Sequence, residues 1–285
     1  MARDKLRADV LLVETGLAES REKAQRIILA GQARIGQDRI GKPSQMIERA
    51  AAVSVDEPFP YVSRGALKIL KALDVFVADV SGAVCLDVGA STGGFTDALL
   101  SRGAAYVYAV DVGYGQIADK LRSDSRVCVM ERTNARYMTR EMFPLSPTLA
   151  VMDVSFISIR LLIPTIFNII GEHGRLLTLV KPQFEAGRGQ VGKGGIVRKQ
   201  EDHIRILEDA ASSVSDLGFH INGTTFSPVR GQTGNIEFLF DISHKNHIEK
   251  DMTNGNLCGK IDPIIASDGK DAIIRLVAEA HNAFA

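Results

Sequence analysis

The chain has 285 residues, 45% of them hydrophobic, and a formal net charge of zero. That composition can fill the core of one medium domain and a small one, and it leaves no global field to draw in nucleic acid, so RNA affinity would have to come from local basic clusters. No apolar run has membrane-spanning length, and the charged start Met1-Ala-Arg-Asp-Lys-Leu-Arg7 lacks the apolar core of a secretion signal; both predict a cytoplasmic protein with no membrane span.

The first unit, residues 1–58, has its own pattern. Val10-Leu-Leu-Val13 precedes Ser20-Arg-Glu-Lys-Ala-Gln-Arg-Ile-Ile-Leu29. Ser20 is placed to cap a helix, although Lys23 stands where a capping box has Glu or Gln. Helical spacing puts Ala24, Ile27 and Ile28 on one face and leaves Arg21, Lys23 and Arg26 to solvent. Gly31 ends the helix. Short strands are predicted around Ala33–Ile35 and Val53–Val55, and Asp56-Glu-Pro-Phe-Pro-Tyr61 reads as a proline-stiffened linker.

From residue 59 to 245 strands alternate with helices. Strands are predicted at Val84–Val88, Tyr106–Asp111, Val127–Glu131, Leu149–Val154, Arg175–Lys181, Thr224–Val229 and Ile236–Ile242. Helices are predicted at Ala66–Phe76, Gly94–Arg102, Ile117–Arg122, Ile159–Ile170 and Gln200–Leu217. This alternation implies an α/β fold with a mainly parallel sheet. Residues 246–285 form a polar tail that ends in the amphipathic stretch Ala272–Ala280, expected to dock as a helix. The cysteines Cys85, Cys128 and Cys258 are not closely spaced; the first two lie in apolar strand-like runs and read as core thiols rather than metal ligands.

The run Cys85-Leu-Asp-Val-Gly-Ala-Ser-Thr-Gly-Gly-Phe95 carries the most information. An apolar strand ending in an acid, a glycine turn and a helix bring backbone N–H groups to the carboxyl edge of a sheet, where α/β folds bind nucleotides. The spacing is not GxGxxG and no Walker lysine follows, so a pyrophosphate clamp fits poorly and a nicotinamide dehydrogenase is disfavoured. It resembles the first motif of S-adenosyl-L-methionine-dependent methyltransferases, which makes Asp87, Gly89, Ala90, Ser91, Gly93, Gly94 and Phe95 candidate cofactor contacts. Asp111, about 20 residues beyond the turn at a strand end, suits ribose hydroxyls. Asn134 could read an adenine amino group or simply form a turn.

Three more charges sit at sheet edges. Asp153 stands at the carboxyl end of the fourth strand, Lys181 closes the apolar fifth, and Glu237 lies in a strand with apolar neighbours. With Lys68, in Ser63-Arg-Gly-Ala-Leu-Lys68, they resemble the Lys-Asp-Lys-Glu tetrad of FtsJ-like RNA ribose 2′-O-methyltransferases. Val180-Lys-Pro-Gln-Phe-Glu185, Val191-Gly-Lys-Gly-Gly195 and Gly234-Asn-Ile-Glu237 look like the hemolysin A (TlyA) branch of that family. The first unit resembles the alpha-L RNA-binding module, with Arg7-Ala-Asp9 in place of Arg-Leu-Asp and a departure at Ile35-Gly-Gln-Asp38.

These resemblances imply a Rossmann-like methyltransferase domain behind a small α+β RNA-binding domain. They imply S-adenosyl-L-methionine as cofactor, ribosomal RNA or ribosomal subunits as partners, cytidine ribose as acceptor, and no metal. Lys68, Asp153, Lys181 and Glu237 would be catalytic. A ribose hydroxyl needs a base or a stabiliser of its developing charge; Lys181 is the candidate, with Lys68 nearby and the two lysines expected to depress each other's pKa. Arg7, Arg21, Lys23, Arg26, Arg34 and Arg64 would contact RNA, as would Arg188 and Lys193 in the glycine-rich stretch 188–199. The competing classes are a non-catalytic ribosome-assembly factor, against which the intact tetrad argues, and a membrane-active haemolysin, against which the missing span and signal argue.

Overall fold

The computed structural model describes residues 4–57, 59–187, 192, 194–245 and 269–285. Arg188, Lys193, Cys258 and the polar first part of the tail lie outside the described residues. The chain divides into two compact units, residues 1–60 and 61–285.

In the first unit the elements run β1 (Lys5–Arg7), α1 (Ala8–Glu14), α2 (Arg21–Leu29), β2 (Ala33–Ile35), β3 (Asp38–Arg39), β4 (Met46–Glu48) and β5 (Val53–Val55). β1 pairs antiparallel with β4, and β2 with both β3 and β5. Ser20 Oγ accepts the Lys23 N–H at 3.2 Å, so the expected cap is made. Ala24, Ile27 and Ile28 of α2 pack with Leu11 and Leu12 of α1. Beside this core, Asp9 is fully buried. Its carboxylate accepts from Arg7 Nε at 2.9 Å, and from Arg21 and Gln25 at 3.0 Å each. The Arg7 hydrogen bond, with Gln25 and Arg21 behind it, outweighs burial and holds the carboxyl well below the usual range. Arg7 and Arg21 therefore serve the fold, whatever else they touch.

The second unit contains α3 (Ala66–Val75), β6 (Val84–Val88), α4 (Gly94–Ser101), β7 (Tyr106–Val110), α5 (Asp119–Arg122), β8 (Val127–Met130), β9 (Leu149–Met152), α6 (Ile163–Ile170), β10 (Arg175–Val180), α7 (Pro182–Glu185), α8 (Gln200–Asp216), β11 (Phe219–Phe226), β12 (Phe238–His244) and α9 (Gly269–Ala283). Sheet order is β11-β12-β10-β9-β6-β7-β8. The five strands from β10 to β8 are parallel, and β12 and β11 add antiparallel at one edge. The chain steps outward from β6 to β7 and β8, then returns to lay β9 on the other side of β6. That reversal opens a crevice at the carboxyl ends of β6 and β9.

Side chains alternate across the buried strands. Cys85 faces the layer of α3 and α4, where Ile69 and Leu99 pack, while Leu86 and Val88 face Ile166 of α6 and Leu207 of α8. Burial pushes the Cys85 thiol up to about 12, in keeping with a core role. The tail docks as expected. α9 buries Ala272, Ile273, Leu276, Val277 and Ala280 in the same core as α8. At roughly 1.5–3 kcal/mol per large apolar side chain, that face holds the helix firmly.

Three predicted elements differ. The helix over 159–170 is a 3-10 turn at Ile159–Leu161 followed by α6, because Pro164 has no N–H and suits only a first turn. β11 begins at Phe219, five residues before the predicted start. Pairing with β12 recruits the polar His220-Ile-Asn-Gly223, with an irregular register between Ile221 and Gly223. β12 begins at Phe238, so Glu237 precedes the strand rather than lying within it.

Candidate active site

The glycine turn leaves β6 at the crevice. Gly89 has φ +86°, and a Cβ there would lie 2.5 Å from the Asp153 carbonyl oxygen. Only glycine lets the ends of β6 and β9 approach so closely. The N–H groups of Gly89 and Ala90 both donate to the Val110 carbonyl, at 2.9 and 3.0 Å, so they are committed to the fold and cannot clamp a pyrophosphate. Ser91, at φ +49°, donates its N–H to Asp111 Oδ2 at 2.8 Å, and Gly113 donates to Oδ1 at 2.6 Å. Gly94 opens α4, and a Cβ on it would lie 2.3 Å from Ser63 Oγ.

Two cavities meet at this turn, sharing Gly89, Ser91 and Asp153. One, of about 560 Å³, also runs past Asp111, Asn134, Phe156 and Leu162. The other, of about 520 Å³, runs past Ser63, Arg64, Lys68, Ala90, Gly94 and Phe95, and also past Arg230 and Gln232. Both have the size of small-ligand pockets. Asn134 Oδ1 accepts the Arg136 N–H at 3.0 Å, so its turn-forming role is made, at the wall of the first cavity. Two expected cofactor residues, Gly93 and Asp87, line neither of these two cavities. Gly93 packs against Leu121. Asp87 is fully buried under the turn, accepting from Thr96 Oγ1 at 2.6 Å, and burial raises its pKa to about 7. It braces β6 against α4 instead of facing a cavity.

The four predicted catalytic side chains converge, although they come from α3 and from the loops at the ends of β9, β10 and β12. Asp153 forms ion pairs with both lysines, to Lys181 Nζ at 2.6 Å and to Lys68 Nζ at 3.5 Å. Lys68 also pairs with Glu237 Oε2 at 2.6 Å, and Glu237 is only 3% exposed. Burial draws the Lys68 pKa down, but Asp153 and Glu237 together outweigh it and hold the ammonium above its ordinary value. The sequence led us to expect the lysines to depress one another; at Lys68 the interleaved carboxylates reverse that.

Sequence reasoning missed Ser155, whose hydroxyl accepts from Lys181 Nζ at 3.0 Å, and the loop residues Arg230 and Gln232. Ser155 could have been suspected from its place two residues after Asp153. Nothing in the sequence marks the loop, because its contribution depends on how β11 returns to β12. Of the expected RNA contacts, Arg64 lines the second cavity, Arg34 pairs with Asp56 at 2.6 Å, and Lys23 and Arg26 are exposed on α2.

A sequence model described as FtsJ-like methyltransferase matches residues 61–243, and one described as S4 domain matches residues 6–53. The chain belongs to the FtsJ-like methyltransferase family. Its relatives put it in the hemolysin A (TlyA) group. It is 49% identical over 244 residues to a candidate rRNA methyltransferase, YqxC, of Bacillus subtilis, covering 85% of this chain and 87% of that one. It is 45% identical over 241 residues to the 16S/23S rRNA (cytidine-2′-O)-methyltransferase TlyA of Mycobacterium tuberculosis, covering 84% and 90%. The solved structure of a candidate hemolysin from Streptococcus thermophilus superposes with TM-score 0.71 at 41% identity, covering 99% of this chain and 98% of the other. This FtsJ-like enzyme is thus a methyltransferase carrying an S4 domain. Among its described residues no helix is long and apolar enough to cross a membrane.

Proposed function

We propose that the chain methylates the ribose 2′-hydroxyl of a ribosomal RNA nucleotide, a cytidine, with S-adenosyl-L-methionine as donor. The observation that carries this reading is Asp153, whose carboxylate pairs with both lysines where the two cavities meet. The residues fit this cofactor. Gly89 and Ser91 line both cavities, the committed Gly89 and Ala90 amides rule against a phosphate, and Asp111 lines the first cavity with a carboxylate suited to ribose. When bound, the cofactor supplies an electrophilic methyl group.

The protein supplies position and charge. Asp153 and Ser155 hold two positions around Lys181 Nζ, enough for both N–H groups of the neutral amine, and leave its lone pair for the acceptor hydroxyl. With the methyl group in reach of the 2′-oxygen, Lys181 would enter as the neutral amine and take on its lone pair the proton that the hydroxyl loses on methylation. Lys68, kept charged by Asp153 and Glu237, offsets negative charge growing on the oxygen. The relative from M. tuberculosis is named for this reaction on 16S and 23S rRNA.

The test is transfer of isotopically labelled methyl to purified ribosomal subunits, followed by nucleoside analysis. Label in 2′-O-methylcytidine supports the reading. Label on a base, or none on RNA, overturns it.

A further inference from the structure

The loop Val229–Gln232 lines the second cavity together with Lys68, and Phe284, just past the C-terminal helix, holds its Arg230. Arg230 donates from one terminal nitrogen to the Gly234 carbonyl at 3.2 Å and from the other to the Phe284 carbonyl at 2.6 Å. Its guanidinium carbon lies 5.0 Å from the centre of the Phe284 ring. That ring also stands 6.3 Å from Phe226, over which Lys71 Nζ sits at 3.5 Å. The helix α9 that brings Phe284 there is fixed by its buried apolar face and by the contact of His281 Nε2 with His203 Nδ1 at 2.9 Å.

Holding an arginine through two carbonyls fixes its planar fork without consuming its charge, since both acceptors are neutral. Such a cation, preset in the lining of a cavity that also holds Arg64 and Lys68, is suited to an anion that arrives with the acceptor. In RNA the phosphates flanking the target ribose are those anions.

On the reading given above, we infer that Arg230 binds a backbone phosphate beside the methylated ribose, and that the end of α9, through Phe284, is the part of the protein that positions it. The C-terminal helix is then a working wall of the acceptor site as well as a packing element.

The experiment uses the full chain with in vitro transcribed 16S and 23S rRNA, and reads RNA affinity against salt apart from methyl transfer. Arg230→Ala should weaken RNA binding roughly tenfold and lower the salt slope by about one, with cofactor affinity unchanged. Arg230→Lys keeps the charge but not the fork and should fall between. Removing Phe284 and Ala285 should reproduce the Arg230→Ala loss, and combining the two changes should add nothing further. Unchanged affinity and slope in Arg230→Ala would overturn the inference, as would additive losses, which would mean the tail acts elsewhere. If the unaltered chain binds these RNAs but methylates no ribose, the functional reading fails while the Arg230 comparison still stands on binding.

Discussion

Lys68 Nζ lies 2.6 Å from Glu237 Oε2, in a pair almost withdrawn from water. The contact fixes the charge of one of the two lysines at the site. Gly231 makes it possible, since a Cβ on this residue would lie 2.4 Å from Glu237 Oε1. Gly231→Ala should therefore displace the Glu237 carboxylate and lower the methyl-transfer rate while the protein stays folded, because a flexible side chain, rather than backbone, gives way. Glu237→Gln should act in the same direction and also destabilise, on the order of 3–5 kcal/mol, by leaving Lys68 short of a partner. Rate constants and melting curves for both variants check this; a Gly231→Ala enzyme with normal rate would mean that the Lys68–Glu237 distance is not critical.

Asp111 accepts two backbone N–H groups and also lines the first cavity. Asp111→Ala should weaken S-adenosyl-L-methionine binding by about 1.5–3 kcal/mol, or ten- to a hundredfold. Calorimetry on the folded variant measures it, and unchanged affinity would put the cofactor elsewhere.

The S4 domain should supply RNA affinity. Arg7 and Arg21 are poor probes, because reversing them strands the buried Asp9. Lys23→Glu with Arg26→Glu leaves that cluster alone. This pair should raise the RNA concentration needed for half-maximal rate and flatten its salt dependence, with cofactor affinity unchanged. Equal affinity and equal salt slope would move the RNA anchor off this helix.

Burial and the neighbouring His281 lower the His203 pKa to about 4, and burial lowers that of His281 as well. A depressed value favours the neutral ring in the folded state. The stability it contributes is complete above the unfolded value of about 6.5 and is lost as pH falls from there towards 4. The full shift at His203 corresponds to about 3 kcal/mol. Melting temperature should drop across that window, and replacing both histidines with Leu should flatten the drop. An unchanged pH profile in the double variant would assign acid sensitivity to other groups.

Much of this was legible in the sequence, and the limits have physical causes. The parallel strands β6 to β10 are mainly apolar runs ended by Gly, Asp, Glu or Lys, so period and punctuation found them within a residue or two. β11 was displaced because its polar first half is held by β12, a partner no local pattern reveals. The tetrad was recognisable as residue types, since Lys181 closing a strand and Asp153 ending another are locally odd. Its electrostatics were not. Which carboxylate faces which lysine depends on crossovers that bring positions 68, 153, 181 and 237 to one point. Asp87 stands in the motif as a candidate ligand, and no local pattern reveals that packing buries it against Thr96.

The central claim is that Lys181 serves the acceptor hydroxyl in the transition state. Single-turnover methyl transfer on preformed complexes with saturating S-adenosyl-L-methionine and ribosomal subunits tests it most directly. Lys181→Ala should bind both partners and transfer almost no methyl, because its contribution arises mainly in the transition state. Lys181→Arg should fail as well, since a guanidinium cannot take a proton near neutral pH. A Lys181→Ala enzyme that forms 2′-O-methylcytidine at near the normal rate would contradict the account.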